Sequence, residues 1–283
     1  MLNRCLGVFC VVFMLGANVT LFVRDVLPEW RAGDPPVAVD LAPGEQARRA
    51  QTGIYDERNR SIGTSWTITE ARGDYVQVSS RTMLTPISLP NGIVTAPVRV
   101  DTDMKYRVAD GLVDELTMLV HGLPILVNLR GMYVPPNEFA CRWRLGSPGQ
   151  GGRSGEFVLD AGATRALGNV LRPFSRLPDL YVGQTWRLEL INPLLKVIPG
   201  LQVDGLLEAP EIARVTRRET IQHAGAAVET LVVEARRTRA WVEPGGTVLR
   251  QEIDLPLLGT LTMRDEPFDE WGFEQACRWR TGD

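Results

Sequence analysis

From Thr52 to the C-terminus, short runs of β-branched and aromatic residues alternate with polar ones at a period of two, and helical periodicity almost vanishes. Phe139, Cys141, Trp143 and Leu145 share one phase, and Arg142 and Arg144 share the other. Turn signals separate the runs: Arg72-Gly73-Asp74, Ala109-Asp110-Gly111, His223-Ala224-Gly225 and Gly245-Gly246. A chain punctuated in this way folds as antiparallel sheet. The expected class is all-β, mainly antiparallel, with at least about ten strands. One short body helix is expected over Asp160 to Leu171, with Asp160 as its cap and Pro173 beyond its end. Ser147 to Gly155 (SPGQGGRSG) reads as a flexible loop, and Glu45 to Gln51 as one or two helical turns ahead of the first strand.

A repeat lies on top of this pattern. Ala140-Cys141-Arg142-Trp143-Arg144-Leu145-Gly146 returns as Ala276-Cys277-Arg278-Trp279-Arg280-Thr281-Gly282, identical at six of seven positions. Ile62-Gly63-Thr64-Ser65-Trp66 is echoed by Val182-Gly183-Gln184-Thr185-Trp186, and the turn at Asp110-Gly111 by that at Gly245-Gly246. These echoes predict a duplicated β-meander, with copies about 52–146 and 182–283, forming a curved sheet or partly closed barrel. They also put a strand at the second Cys-Arg-Trp-Arg. Equivalent places in two copies make a disulfide between Cys141 and Cys277 conceivable if the copies face each other. Two buried free thiols are the alternative.

The N-terminus is of another kind. Cys5 to Val23 is nineteen residues without a charge, about 28 Å as a helix, close to the hydrocarbon thickness of a bilayer. Arg4 on the near side favours an inside N-terminus. The expected order is a cytoplasmic tip (1–4), a transmembrane signal anchor (5–23), a Pro-containing tether (24–51) and the β domain (52–283). The chain is then a single-pass protein of the inner, cytoplasmic membrane with an extracytoplasmic body. Cleavage as a signal peptide is the competing reading, but Leu15-Gly16-Ala17 is a poor cleavage site.

Composition narrows the function. A net charge of −3, with Lys105 and Lys196 the only lysines, gives no footprint for nucleic acid. Two lone histidines, His121 and His223, and no Cys-x-x-Cys make no zinc site. No strained Gly-x-Ser-x-Gly turn and no Cys–His pair offers a nucleophile, and the glycines of Ser147 to Gly155 lack a phosphate-binding spacing. Asp265, Glu266, Asp269 and Glu270 read as a solvated acidic loop. No catalytic residue, metal ligand or cofactor is therefore expected. Asn192 to Leu207 is broken by Pro193 and Pro199 yet rich in aliphatics. Its Leu194, Leu195, Val197 and Ile198 are the candidate ligand lid or apolar contact.

Several short motifs carry a resemblance. They are Gly53-Ile54-Tyr55-Asp56 with Ile62-Gly63, Val182-Gly183-Gln184-Thr185-Trp186, Trp241-Val242 before Gly245-Gly246-Thr247-Val248-Leu249, and Leu258 to Arg264 (LGTLTMR). With them the body resembles the strand-rich module that precedes the catalytic domain in some membrane-anchored bacterial transglutaminase-like proteins. The catalytic domain itself has no counterpart among these motifs, so its activity is not implied. The sheet is more loosely similar to the half-barrels of periplasmic lipoprotein-carrier proteins, which hold acyl chains. Two functions are expected on these grounds. One is a non-catalytic, membrane-anchored binding or scaffold module with a protein partner. The other is a carrier or sensor of a hydrophobic, lipid-like ligand within a half-open barrel. Protease added to intact spheroplasts should digest residues 24–283 and spare a small membrane fragment; a body protected until lysis would refute this topology.

Overall fold

Consecutive strands pair with one another except at a single break, so the described strands form two meanders joined in one sheet. The computed structural model describes residues 13–22, 30, 32–33, 41, 45–86, 97–122, 126–146, 152–162, 164, 176–188, 211–255 and 259–278. The first strands are β1 (Ala47–Tyr55), β2 (Ser61–Arg72), β3 (Tyr75–Leu84) and β4 (Val98–Arg107). They continue as β5 (Val113–His121), β6 (Leu126–Val134), β7 (Glu138–Gly146) and β8 (Arg153–Asp160). The second run holds β9 (Thr185–Leu188), β10 (Glu211–His223), β11 (Ala226–Glu234), β12 (Thr238–Val242), β13 (Val248–Leu255) and β14 (Gly259–Glu266). The order across the fourteen-stranded antiparallel sheet is β8 to β1, then β14 to β9. β1 and β14 pair directly, and among the described strands the one neighbour pair missing is β8–β9. This is the strand order of an up-and-down barrel cut at one seam, and the sheet is not closed.

The period-two reading holds, because residues paired across antiparallel strands share a face. Inward residues of β3 to β8, among them Val78, Met104, Leu116, Met118, Leu129, Phe139 and Leu159, form one buried cluster. Trp186, Val215, Leu231, Val233, Ala240 and Val242 form a second on β9 to β12, covered by Leu177. Ile54, Ile62, Leu261 and Met263 form a small third cluster where the two runs meet. The turns behave as their residues require. Ala224 and Gly225, at φ 48° and 79°, make the two-residue loop of the β10–β11 hairpin with both residues left-handed.

Four expectations are corrected. Residues 153–160 are strand β8, not loop and helix start, because Phe157 and Leu159 pair with Cys141 and Phe139 on the apolar face. Residues 165–172 of the expected helix lie outside the described residues. β1 begins at Ala47, inside the segment read as tether, since Ala47 to Ala50 find ladder partners in Thr67 to Glu70. The second Cys-Arg-Trp-Arg does not form a strand: Glu270–Arg278 is an α-helix holding Cys277 and Arg278, while Trp279 and Arg280 lie outside the described residues. Its first turn carries Glu270, its last Arg278, and Arg278 bonds Glu274 one turn back at 3.0 Å. These are helix signals that the echo of the strand motif concealed. The strand-for-strand duplication therefore fails at its strongest echo. No helix among the described residues is long and apolar enough to cross a membrane. Residues 13–21 of the apolar run are helical, and 5–12 and 23 lie outside the described residues.

The C-terminal helix sits on the outer face over β1 and β2. The Asp269 amide donates to Gln51 Oε1 at 2.8 Å, and Arg49 pairs with Glu270. A Cβ on Gly272 would lie 3.1 Å from Cζ2 of Trp66, so this glycine lets the helix close onto the indole. Trp66 is buried beneath it, and its indole N–H has no hydrogen-bond partner among the described residues. Trp66→Ala should cost about 3–5 kcal/mol in chemical denaturation. Trp66→Phe keeps most of the packing and removes the unpaired donor, so it should cost a small fraction of that; equal losses would show that packing under the helix is not what Trp66 supplies.

Candidate functional site

The inner face is apolar on its two flanks and polar in the middle, where the two strand runs meet. Register places its residues in cross-strand rows. One row runs Gln251, Met263, Ile54, Gly63, Leu84 across β13, β14, β1, β2 and β3. The next runs Asp265, Thr52, Ser65, Thr82 across β14 to β3, and the third runs Ala50, Thr67, Ser80, Thr102 across β1 to β4. Thr52, Ser65, Ser80, Thr82 and Thr102 are all buried.

The hydroxyls of this belt bond one another. Ser65 Oγ lies 2.8 Å from Thr82 Oγ1 and 3.4 Å from Ser80 Oγ, and Thr67 Oγ1 donates to Ser80 Oγ at 3.5 Å. Gln251 is different. It is 2% exposed, and neither its Nε2 nor its Oε1 has a hydrogen-bond partner among the described residues. Leaving a buried polar group unpaired costs about 1–3 kcal/mol. A leucine there would escape that cost, so Gln251 is a residue the fold does not need.

At the end of the belt, His223 Nε2 lies 3.8 Å from Asp265 Oδ2. His223 reaches β14 because the β10–β11 hairpin runs well past the end of β12. Of the residues read as a solvated acidic loop, Asp265 and Glu266 lie within β14 and are half-buried, while Asp269 and Glu270 follow it and are exposed. Glu266 accepts from Tyr55 and Gln51, and Glu270 from Arg49. Among the described residues no cluster of His, Cys, Asp and Glu could hold a metal ion.

The outer face is a ladder of paired charges. Arg81 meets Asp103 at 3.2 Å and Arg99 meets Asp101 at 2.8 Å. Across β10 to β13, Arg217 binds Glu219 and Glu234, and Arg250 lies 4.7 Å over the Trp241 ring. The Trp241 indole N–H donates to Glu219 at 3.2 Å, and with Arg217 it holds the Glu219 carboxyl below its ordinary range. The Arg99–Asp101 pair is largely buried, whereas the half-exposed Arg217 pairs contribute about 0–1 kcal/mol each, and their effect is to make this face polar rather than to hold the sheet together. One apolar row interrupts the pattern near the β8 edge: Met132, Ala140 and Val158 are cross-strand neighbours, with Met132 and Val158 exposed.

The residues singled out in the sequence do not converge. Cys141 is buried on the inner face of β7, and Cys277 is exposed on the helix that packs against the outer face. The two are not bridged to each other. A bridge needs Cα atoms within about 7 Å, and the sheet itself stands between these two. Leu194, Leu195, Val197 and Ile198 lie outside the described residues. Gln251 was legible but overlooked: in Val248–Leu255 it shares the inward phase with Leu249 and Ile253. The hydroxyl belt carried no such signal, because β2 offers only Gly63, Ser65, Thr67 and Thr69 in that phase. No family model, curated protein or solved structure matches the chain.

One titration follows from this geometry. His121, opposite Arg99 on the outer face, has a buried Nδ1 without a partner among the described residues. Burial pushes its imidazole below its ordinary value; Asp101 opposes this and Arg99 adds to it. The folded state thus prefers neutral His121, while the unfolded chain titrates near the ordinary value of about 6.5. Its stabilising contribution is present above that value and is lost as pH falls through the lower folded-state value. The urea midpoint should fall between about pH 7.5 and about pH 5.5, and His121→Leu should flatten that fall. An unchanged slope in the variant would contradict the assignment.

Proposed function

We propose that this chain is a non-catalytic, membrane-anchored extracytoplasmic module that holds a hydrophobic, lipid-like ligand against the inner face of its open sheet. The observation that carries the reading is that face itself. It is apolar on both flanks, carries an unpaired buried amide at Gln251, and belongs to a sheet left open between β8 and β9. The charged outer face is the reverse of a lipid-facing barrel wall, which favours a ligand inside over a bilayer outside. The uncharged run 5–23 supports the anchor. In its described part, Asn18 Nδ2 donates to the Met14 carbonyl and Thr20 Oγ1 to the Gly16 carbonyl, both at 2.8 Å. Folding polar groups back onto the helix suits apolar surroundings.

A protein partner is the second reading, favoured by the exposed Met132–Ala140–Val158 row beside the unpaired edge of β8. Native mass spectrometry of the full chain, extracted in mild detergent, separates the two. Retained lipid-sized mass supports the ligand reading, a retained protein supports the partner reading, and bare chain under conditions that preserve known lipid carriers counts against both.

A further inference from the structure

We infer that Gln251 recognises a long-chain carboxylic acid bound in its neutral, protonated form; the inference rests on the ligand reading above and names the ligand's head group. A carboxamide whose donor and acceptor are both unpaired calls for a group that offers one acceptor and one donor side by side. A protonated carboxyl does so: its carbonyl accepts from Nε2 and its O–H donates to Oε1. An ester has no donor and leaves Oε1 unpaired. A secondary amide in its trans form points its N–H and C=O in opposite directions and satisfies only one side of Gln251.

The surroundings select the neutral form. On the inner face, the cross-strand neighbours of Gln251 are Ala240 on β12 and Met263 on β14, and its neighbours along β13 are Leu249 and Ile253. None is a cation. The charged inner position on the adjacent strand β14 is Asp265, already facing His223, and its carboxylate would repel a second one. An apolar site beside a like charge raises a carboxyl's pKa, so the ligand takes one proton from solvent as it binds. The apolar flank of β9 to β12 is already buried, its cluster residues 0–9% exposed, so the alkyl chain enters there only as the side chains covering that flank move aside. Met263 is unbranched and flexible and is the side chain that must move to admit the carboxyl.

The test uses the full chain in detergent micelles with three probes: hexadecanoic acid, hexadecanamide and methyl hexadecanoate. Each affinity is read as the ratio of the native chain to Gln251→Leu, which cancels partition into micelles. The native chain should bind the acid at low pH and the primary amide about tenfold tighter than the ester, the value of one hydrogen bond with its partner left unpaired. Gln251→Leu should abolish that preference. Affinity for the acid should fall about tenfold per pH unit above its own pKa, with proton uptake on binding, while that for hexadecanamide stays flat. Equal binding of all three probes by native and variant chains would overturn the inference and leave the ligand reading standing. Acid affinity that rises with pH would show an anion site and overturn it as well. Failure of all three probes to bind would overturn both. Gln251→Leu should itself unfold at a higher temperature than the native chain; if it does not fold, Gln251→Met serves in its place.

Discussion

The pairing of β1 with β14 is the contact on which the rest of the sheet depends. It joins Gln51 through Tyr55 to Glu266 through Thr262, and Gln51 and Glu266 also bond through their side chains across 215 residues of sequence. Each strand run alone is a meander with two edges. Joined here, the runs share one inner face, because Ile54 opposite Met263 puts the apolar phases of both on the same side. A slip of one residue would turn one run's core toward solvent. All the other strand pairs of the sheet are sequence neighbours, so this closure carries the largest loop entropy among them.

The belt of small hydroxyls lies along the same junction, and the position has a physical cause. On the flanks, aliphatic and aromatic residues fill the inner face: Phe139, Leu129 and Met118 on one side, Trp186 and Val233 on the other. Between them Ser65, Ser80 and Thr82 add little volume and satisfy their hydroxyls locally. The centre is therefore polar and buried between two apolar banks. A ligand with an apolar chain and a small neutral polar head fits such a surface, and Gln251 is its unsatisfied member.

On the opposite side of the junction the C-terminal helix acts as a clasp. Its N-terminus is tied to β1 through Gln51 and Arg49, and Gly272 lets it rest on Trp66 of β2. One helix thus braces the strands next to the longest-range pairing.

Local chemistry alone determined much of this protein. Alternation at period two, glycine-bearing turns such as Gly73 and Ala224-Gly225, and the uncharged run 5–23 are properties of short segments, and they specified an antiparallel all-β body. Tertiary structure decided what short segments could not. The motif Ala-Cys-Arg-Trp-Arg is a strand where Phe139 and Leu145 extend its alternation, and its first residues lie in a helix where Asp269, Glu270 and Arg278 supply helix ends and Trp66 a surface to pack on. Arg153–Asp160 became a strand only because β7 presented a free edge. The polar belt exists because pairing aligned Thr52, Ser65 and Thr82, which are distant or ambiguous in phase when read along the chain. The phase of a strand is local, but which strand lies beside it, and so which side chains share a row, is settled only when the sheet assembles.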